Sequence, residues 1–257
     1  MIKRYTLLLT ACIKTTAPIY NAEHRTDVKM RLEDYKTALK YWLQNTDIVL
    51  DGIVFVENSM YDLSELKQLI EENNDRQITV EFLQNKATEV PEGVHYGYSE
   101  LEMIDYAFAH SSLIKASDYI IKATGRLYFP AVAKLLKRLP SQYSIAIDSR
   151  DYDILKYSKH YLVTTIFVVK KEFYAKHLIG IKSKMVHGGA GLMEDLYFNI
   201  LKPMYLEGKS GLILRLPFSM NPVGIGAHWN VNYQSKRKLF ESAVRDLFRV
   251  LVPKLWV

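Results

Sequence analysis

Cysteine occurs once in the 257 residues, at Cys12, so an intrachain disulfide is excluded. Its place within an apolar run reads as a core thiol and fits a reducing compartment. Long apolar runs are missing too. The run that begins "YTLLLTACI" is met by Lys14, far short of the ~20 residues that cross a bilayer, and no A-x-A-like cleavage site follows it. It is therefore expected to be a buried strand rather than a signal peptide. No G-x-x-x-x-G-K-[ST] occurs, which argues against a P-loop ATPase. Repeats, low-complexity tracts and clear linkers are also lacking. One domain over residues 1–234 is the simplest organisation, with residues 235–257 as an appended basic, amphipathic helix. Acid is the scarcer charge. Thirty-four Lys and Arg stand against 28 Asp and Glu, a net charge of +6, which favours anionic partners.

What is present alternates. Residues 5–13 and "DGIVFVENS" (51–59) are apolar runs suited to strands buried on both faces, and "ITVEFLQN" (78–85) is a third. Between the first two, Val28, Leu32, Tyr35, Leu39 and Trp42 recur at helical spacing. "DLSELKQLIEEN" (62–73) predicts a helix with Asp62 and Glu65 as a capping box, and Ser99 with Glu102 suggests another near residues 99–113. Residues 144–154, 161–174 and 211–218 read as further strands, and "MEDLYFNIL" (193–201) as a helix. Alternation of this kind predicts an α/β fold with a central, mostly parallel sheet flanked by helices. Ligands of such sheets bind beyond the carboxyl ends of the strands. The polar residues that follow each apolar run are thus the ones to watch.

At one such exit the chain reads "YIIKATGRLYF" (119–129), placing Lys122, Thr124, Gly125 and Arg126 where a buried strand ends. The ordered pieces "ENS", "GYSELEMI", "KATGR" and "MEDLYF" resemble those of small GT-A-type glycosyltransferases, the kind that build bacterial capsule, O-antigen or lipopolysaccharide sugars. The resemblance spans about residues 5–201. It implies a GT-A-like, Rossmann-like sheet and transfer of a sugar, with inversion, from a UDP-, GDP- or dTDP-sugar to a lipid-linked glycan acceptor. It also implies that Thr10 and Ala11 flank the base, that Glu57 and Asn58 contact the nucleoside, and that Asp195 or Glu194 takes the acceptor proton. One departure stands out. Where such enzymes carry the metal-binding Asp-x-Asp, this chain has Lys122-Ala123-Thr124-Gly125-Arg126. Cationic side chains and bare backbone would there offset the charge of a departing diphosphate. Gly125 would permit close approach, and the planar fork of Arg126 would hold two phosphate oxygens. This pattern does not itself call for a cofactor. Mn²⁺ or Mg²⁺ stays open through Asp148, Asp151 and His228.

At the end of the chain, Leu239, Phe240, Ala243, Val244, Leu247, Phe248 and Leu251 share one helical face, with Lys236, Arg237, Lys238, Arg245 and Arg249 elsewhere. The pattern suits a helix lying on an anionic membrane. Packing against the core with a solvated basic face, or a homodimer contact, is the alternative. A cytoplasmic protein, peripheral on the inner face of the membrane, is the expected setting. Two other functions remain in view: a nucleotidyltransferase acting on sugar phosphates, and a non-catalytic nucleic-acid-binding α/β module. "TACIKTTAPIYN" contains no glycine, against the first, and no recognised RNA or DNA motif is present, so nucleic acid is not an expected partner.

Overall fold

A computed structural model describes residues 3–15, 25–150, 161–187, 191–226 and 231–253. The first half alternates as expected. It runs β1 (Tyr5–Ala11), α1 (Val28–Gln44), β2 (Gly52–Glu57), α2 (Ser64–Asn73), β3 (Val80–Gln84), α3 (Gly97–His110), the short α4 (Ser112–Ala116) and β4 (Tyr119–Thr124). Next come α5 (Val132–Arg138), β5 (Ile145–Arg150) and β6 (Tyr161–Lys170). The remainder is α6 (Lys171–His177), α7 (Ser183–His187), α8 (Met193–Leu206), β7 (Leu212–Ile213) and α9 (Lys236–Leu251).

The strands form one seven-stranded sheet in the order β3-β2-β1-β4-β6-β5-β7. Only β6 runs antiparallel to its neighbours, so the sheet is mostly parallel. Strand β1 shows why both faces are covered. Leu7 and Leu9 point into one core with Tyr35, Leu39 and Trp42 of α1, whereas Leu8 points into another with Leu101 of α3 and Tyr197 of α8. All three leucines are fully buried, as expected of a parallel strand between two helical layers.

Several elements are shorter than their apolar runs. The 161–174 run leaves the sheet after Lys170, and residues 171–177 turn into α6, which carries Tyr174 into the second core. The 211–218 run contributes only Leu212 and Ile213 to the sheet. The Asp62–Glu65 capping box does not form. Asp62 instead accepts from the Ser64 backbone at 3.1 Å and from its hydroxyl at 2.6 Å, just ahead of α2. Ser99 lies inside α3, which starts at Gly97, and Glu102 is taken by Thr88 and Lys182.

Candidate active site

Strand order reverses at β1. The chain moves outward through β2 and β3, then returns to lay β4 on the other side of β1. Such a reversal opens a crevice at the carboxyl ends of the two strands. Because β6 is antiparallel, its first residues reach the same edge, as do the last residues of β5. The sheet thus gathers Thr10, Arg126, Thr164 and Arg150 from distant parts of the sequence.

A chain of polar contacts crosses this edge. Thr10 Oγ1 donates to Glu100 Oε1 at 2.9 Å. Lys122 Nζ lies 2.6 Å from that same oxygen and donates to the Thr164 carbonyl at 2.8 Å. Thr164 Oγ1 in turn donates to Glu194 Oε1 at 3.0 Å. Burial acts to raise the Glu100 carboxyl, but the Lys122 charge and hydrogen bond, with Thr10 and Arg126, outweigh it and hold the carboxyl below its ordinary value. Burial pushes Glu194 the other way, above the usual glutamate range, and the Glu100 charge adds to the rise against Thr164 and Lys122. Two carboxylates driven apart in this fashion suit different roles, one a fixed anion and the other a proton acceptor.

Lys122 is 1% exposed in its side chain and bound by Glu100 and Thr164. Its charge is spent inside the fold, so the expectation that it meets a diphosphate directly does not match its position. The reason is register. Lys122 pairs with Leu8, on the face that carries the second core, beside Phe167. Gly125 also has a structural use. Its N–H donates to the Thr10 carbonyl at 2.9 Å, and a Cβ there would stand 2.7 Å from that oxygen and 3.2 Å from the Tyr35 ring. The bare backbone serves the β1–β4 contact rather than a ligand. Arg126 differs: it is half-buried, and its Nη1 is buried without a hydrogen-bond partner. Its charge reaches Glu100, Tyr35 and Tyr233. Thr124 is half-buried and accepts from the Leu127 N–H through its carbonyl.

The remaining sequence candidates spread out. Glu57 is fully buried and accepts from the backbone of Ile13, Ser59 and Tyr61 at 2.9–3.2 Å, and from the Ser59 hydroxyl. It clamps the loops that follow β1 and β2. The Asn58 N–H donates to the carbonyl of buried Ala11 at 3.0 Å, while Asn58 Oδ1 is buried without a partner. Asp148 is bound through both oxygens to Arg249 of α9, at 2.6 and 2.9 Å, and accepts from the Leu216 N–H. A carboxylate so engaged is accounted for by the fold. Asp151 and His228 lie outside the described residues. Among the described residues, no three His, Cys, Asp or Glu gather as a set that could hold a metal ion.

Glu194 lines a recess of about 190 Å³, and Asp195 does not. Its walls include Arg150, Tyr161 and Thr164 of the sheet, Asn221 and Tyr233 of the loops, and Lys238, Ser242 and Arg245 of α9. A larger hollow of about 480 Å³, by Asp47 and the cations of α5, holds none of the candidates. Sequence reasoning missed Glu100, Thr164, Arg150 and Tyr233. Glu100 stood in plain view within "GYSELEMI", masked by the capping interpretation of its neighbours. The others needed the sheet order to bring them together.

No family model and no curated protein matches this chain. Among solved structures, 4-diphosphocytidyl-2C-methyl-D-erythritol synthase from Anaerococcus prevotii is similar over 94% of this chain and 96% of its own, at 10% identity and a TM-score of 0.48. An active-site mutant of LgtC is similar over 81% and 72%, at 7% identity and a TM-score of 0.49. A glycosyltransferase involved in glycosylation of the major capsid of PBCV-1 gives 85% and 84%, at 10% identity and 0.44. Likeness of this degree fixes neither a family nor a chemistry. The α/β architecture stands on the sheet itself.

Proposed function

We propose that this chain is a glycosyltransferase that moves a sugar, with inversion, from a nucleoside diphosphate donor to a glycan acceptor. The observation that carries the reading is Glu194, a carboxyl with a raised pKa, set on the wall of a cationic recess beside the β1–β4 crevice. In the reaction Glu194 takes the proton of an acceptor hydroxyl as that oxygen bonds to the anomeric carbon. The bond from that carbon to the diphosphate oxygen breaks, and the departing group keeps the electron pair. Arg126, with Nη1 free of protein partners, offsets the charge that develops there. Thr164 fixes the carboxylate of Glu194. The Glu100–Lys122 pair holds the floor of the site rather than meeting substrate.

The apolar face of α9, where Phe240, Leu247, Val250 and Leu251 are exposed, supports a lipid-linked acceptor of surface polysaccharide synthesis and a peripheral place on an anionic membrane. No helix among the described residues is long and apolar enough to cross a membrane.

The test is a thermal-shift and transfer screen with UDP-, GDP- and dTDP-sugars, with and without EDTA. At least one donor should raise the melting temperature. Glu194→Gln should cut turnover by about 10²–10⁴-fold and leave donor binding intact, the ordinary weight of a positioned proton acceptor. Full turnover in that variant removes Glu194 as base. Release of pyrophosphate from a nucleoside triphosphate and a sugar phosphate would replace this reading with nucleotidyl transfer. Binding of single-stranded RNA with steep salt dependence, and of no nucleotide sugar, would replace it with a nucleic-acid module.

A further inference from the structure

Helix α9 is seated inside out. Its buried residues are Ser242 and Arg249, whereas Phe240, Leu247, Val250 and Leu251 are exposed. A surface helix normally turns its apolar stripe toward the protein. Here the inward side bonds to polar groups instead: Arg249 to Asp148 at 2.6 Å, Ser242 to Asn221 at 2.6 Å, and Asp246 to Ser219 at 2.7 Å. The same side walls the Glu194 recess with Lys238, Ser242 and Arg245. At about 100° per residue, Lys238, Ser242, Arg245 and Arg249 fall within an arc of about 60°. Phe240, Leu247 and Leu251 centre on the opposite side of the same wheel. A single helix thus separates the recess from an exposed apolar face.

Two features favour an anionic bilayer as the cover of that face. The first turn of α9 carries Lys236, Arg237 and Lys238 and no acid. Cations are disfavoured at a helix N-terminus, where the dipole is positive, and an anionic surface beside them offsets that cost. The acids of α9 are also engaged already. Glu241 lies 3.0 Å from Arg237 and 2.8 Å from Lys238, and Asp246 accepts from Ser219. A second copy of α9 would bring only those two bound acids to meet its cations. A bilayer of anionic lipid supplies both the charge and an apolar interior.

The geometry then limits the substrate. A helix with its side chains is about 10–12 Å across. The apolar face of a helix lying on a membrane sinks about 5–10 Å into the headgroup boundary. The far side of α9, and the recess it walls, are left at the level of the lipid headgroups. We propose that α9 lays the protein on an anionic bilayer with the Glu194 recess at headgroup level, and that the acceptor is therefore a short glycan, extended close to its lipid. A long, extended glycan would carry its tip beyond the recess. The class of reaction that supplies such an acceptor is attachment of a first sugar to a membrane lipid. The product passes to further sugar transfers. The acceptor assignment rests on the glycosyltransferase reading; the orientation on the bilayer does not.

The test places a fluorophore in the full chain, in a Cys12→Ser background, by Thr165→Cys on the recess wall or by Glu71→Cys on α2, the helix that leads to β3 at the far edge of the sheet. Vesicles of phosphatidylethanolamine and phosphatidylglycerol carry a nitroxide on their headgroups. The label at position 165 should be quenched severalfold more than the label at position 71. Lys236→Gln with Arg237→Gln should weaken vesicle binding about 30-fold, the ordinary weight of two cations near an anionic surface, with an unchanged melting temperature. Hydrogen exchange of the unlabelled wild type should show vesicles protecting α9 and not α2, which guards against a label that disturbs the recess. No binding of wild type to these vesicles, or equal quenching at the two positions, overturns the orientation. With the donor selected by the nucleotide-sugar screen, transfer on vesicles should favour lipid-linked mono- and disaccharides about tenfold over the same sugars at the tips of long lipid-linked glycans. Equal transfer to the long glycans overturns the acceptor assignment. Quenching at position 165 while every nucleotide sugar fails would keep the orientation and remove the glycosyltransferase reading, and the acceptor with it.

Discussion

Helices α1 and α9 carry the same kind of pattern and are seated in opposite senses. Both have apolar residues at helical spacing and charges elsewhere. Helix α1 turns Leu32, Tyr35, Leu39 and Trp42 into the core. Helix α9 leaves Phe240 71%, Leu251 67% and Val250 78% exposed and buries Arg249. An amphipathic pattern says that a helix has two faces. It does not say which one meets the protein. That depends on what lies beneath. Under α1 lies the apolar face of β1 and β2; under α9 lie Asp148, Asn221 and the polar recess. Arg249 is buried on the inward side of α9, while Phe240, Leu247, Val250 and Leu251 are displayed outward.

Equal-sized insults to the two helices should have unequal effects. Trp42→Ala in α1 should cost about 3–5 kcal/mol in urea unfolding, the range for removing a large buried aromatic. Arg249→Ala should cost a similar 3–5 kcal/mol because it strands the buried Asp148 carboxylate, which an exposed basic face would not do. The paired change Asp148→Leu with Arg249→Met should recover much of that loss, since no lone charge remains. Phe240→Ser should shift stability by no more than about 0.5 kcal/mol, the ordinary effect at an exposed site. The same variant should reduce sedimentation with vesicles rich in anionic lipid. Unaltered sedimentation would remove the bilayer as the cover of α9, and a concentration-dependent change in oligomeric state would put a second copy in its place.

A finer form of the contrast lies between Glu100 and Glu194, which are linked through Lys122 and Thr164. The Glu100 pKa is lowered on folding, so its contribution is present above the unfolded value and is lost as pH falls through the folded one. The Glu194 pKa is raised, so its contribution weakens as pH climbs from the unfolded value through the folded one. Glu194→Gln should therefore gain on wild type in melting temperature as pH rises past the normal glutamate range. Glu100→Gln should be penalised most at neutral pH and least in acid. Parallel profiles for the two variants would show that the carboxylates do not differ.

The order of strands and helices in the first half was legible because each apolar run carries its own period. Residues 5–13, 51–59 and 78–85 each became a strand, trimmed at the ends. The site was legible only in part. Arg126 and Glu194 appear at strand and helix ends where polar residues draw notice. Lys122 drew the same notice but points inward, since adjacent residues of a strand face opposite sides of the sheet. Asp148 and Glu57 looked like ligand groups and are bound instead by Arg249 and by backbone N–H groups, partners up to 101 residues away.

By itself, then, the sequence determined local matters: which segments become strands or helices, that a cationic surplus exists, and that α9 has two unlike faces. These follow from side-chain period and backbone preference, which act over a few residues. Tertiary structure alone decided that Lys122 and Arg249 are bound by carboxylates inside the fold, and which side of α9 meets the protein. Those outcomes depend on neighbours set by sheet order, and burial makes an ionised group's energy depend on its neighbours far more than water does.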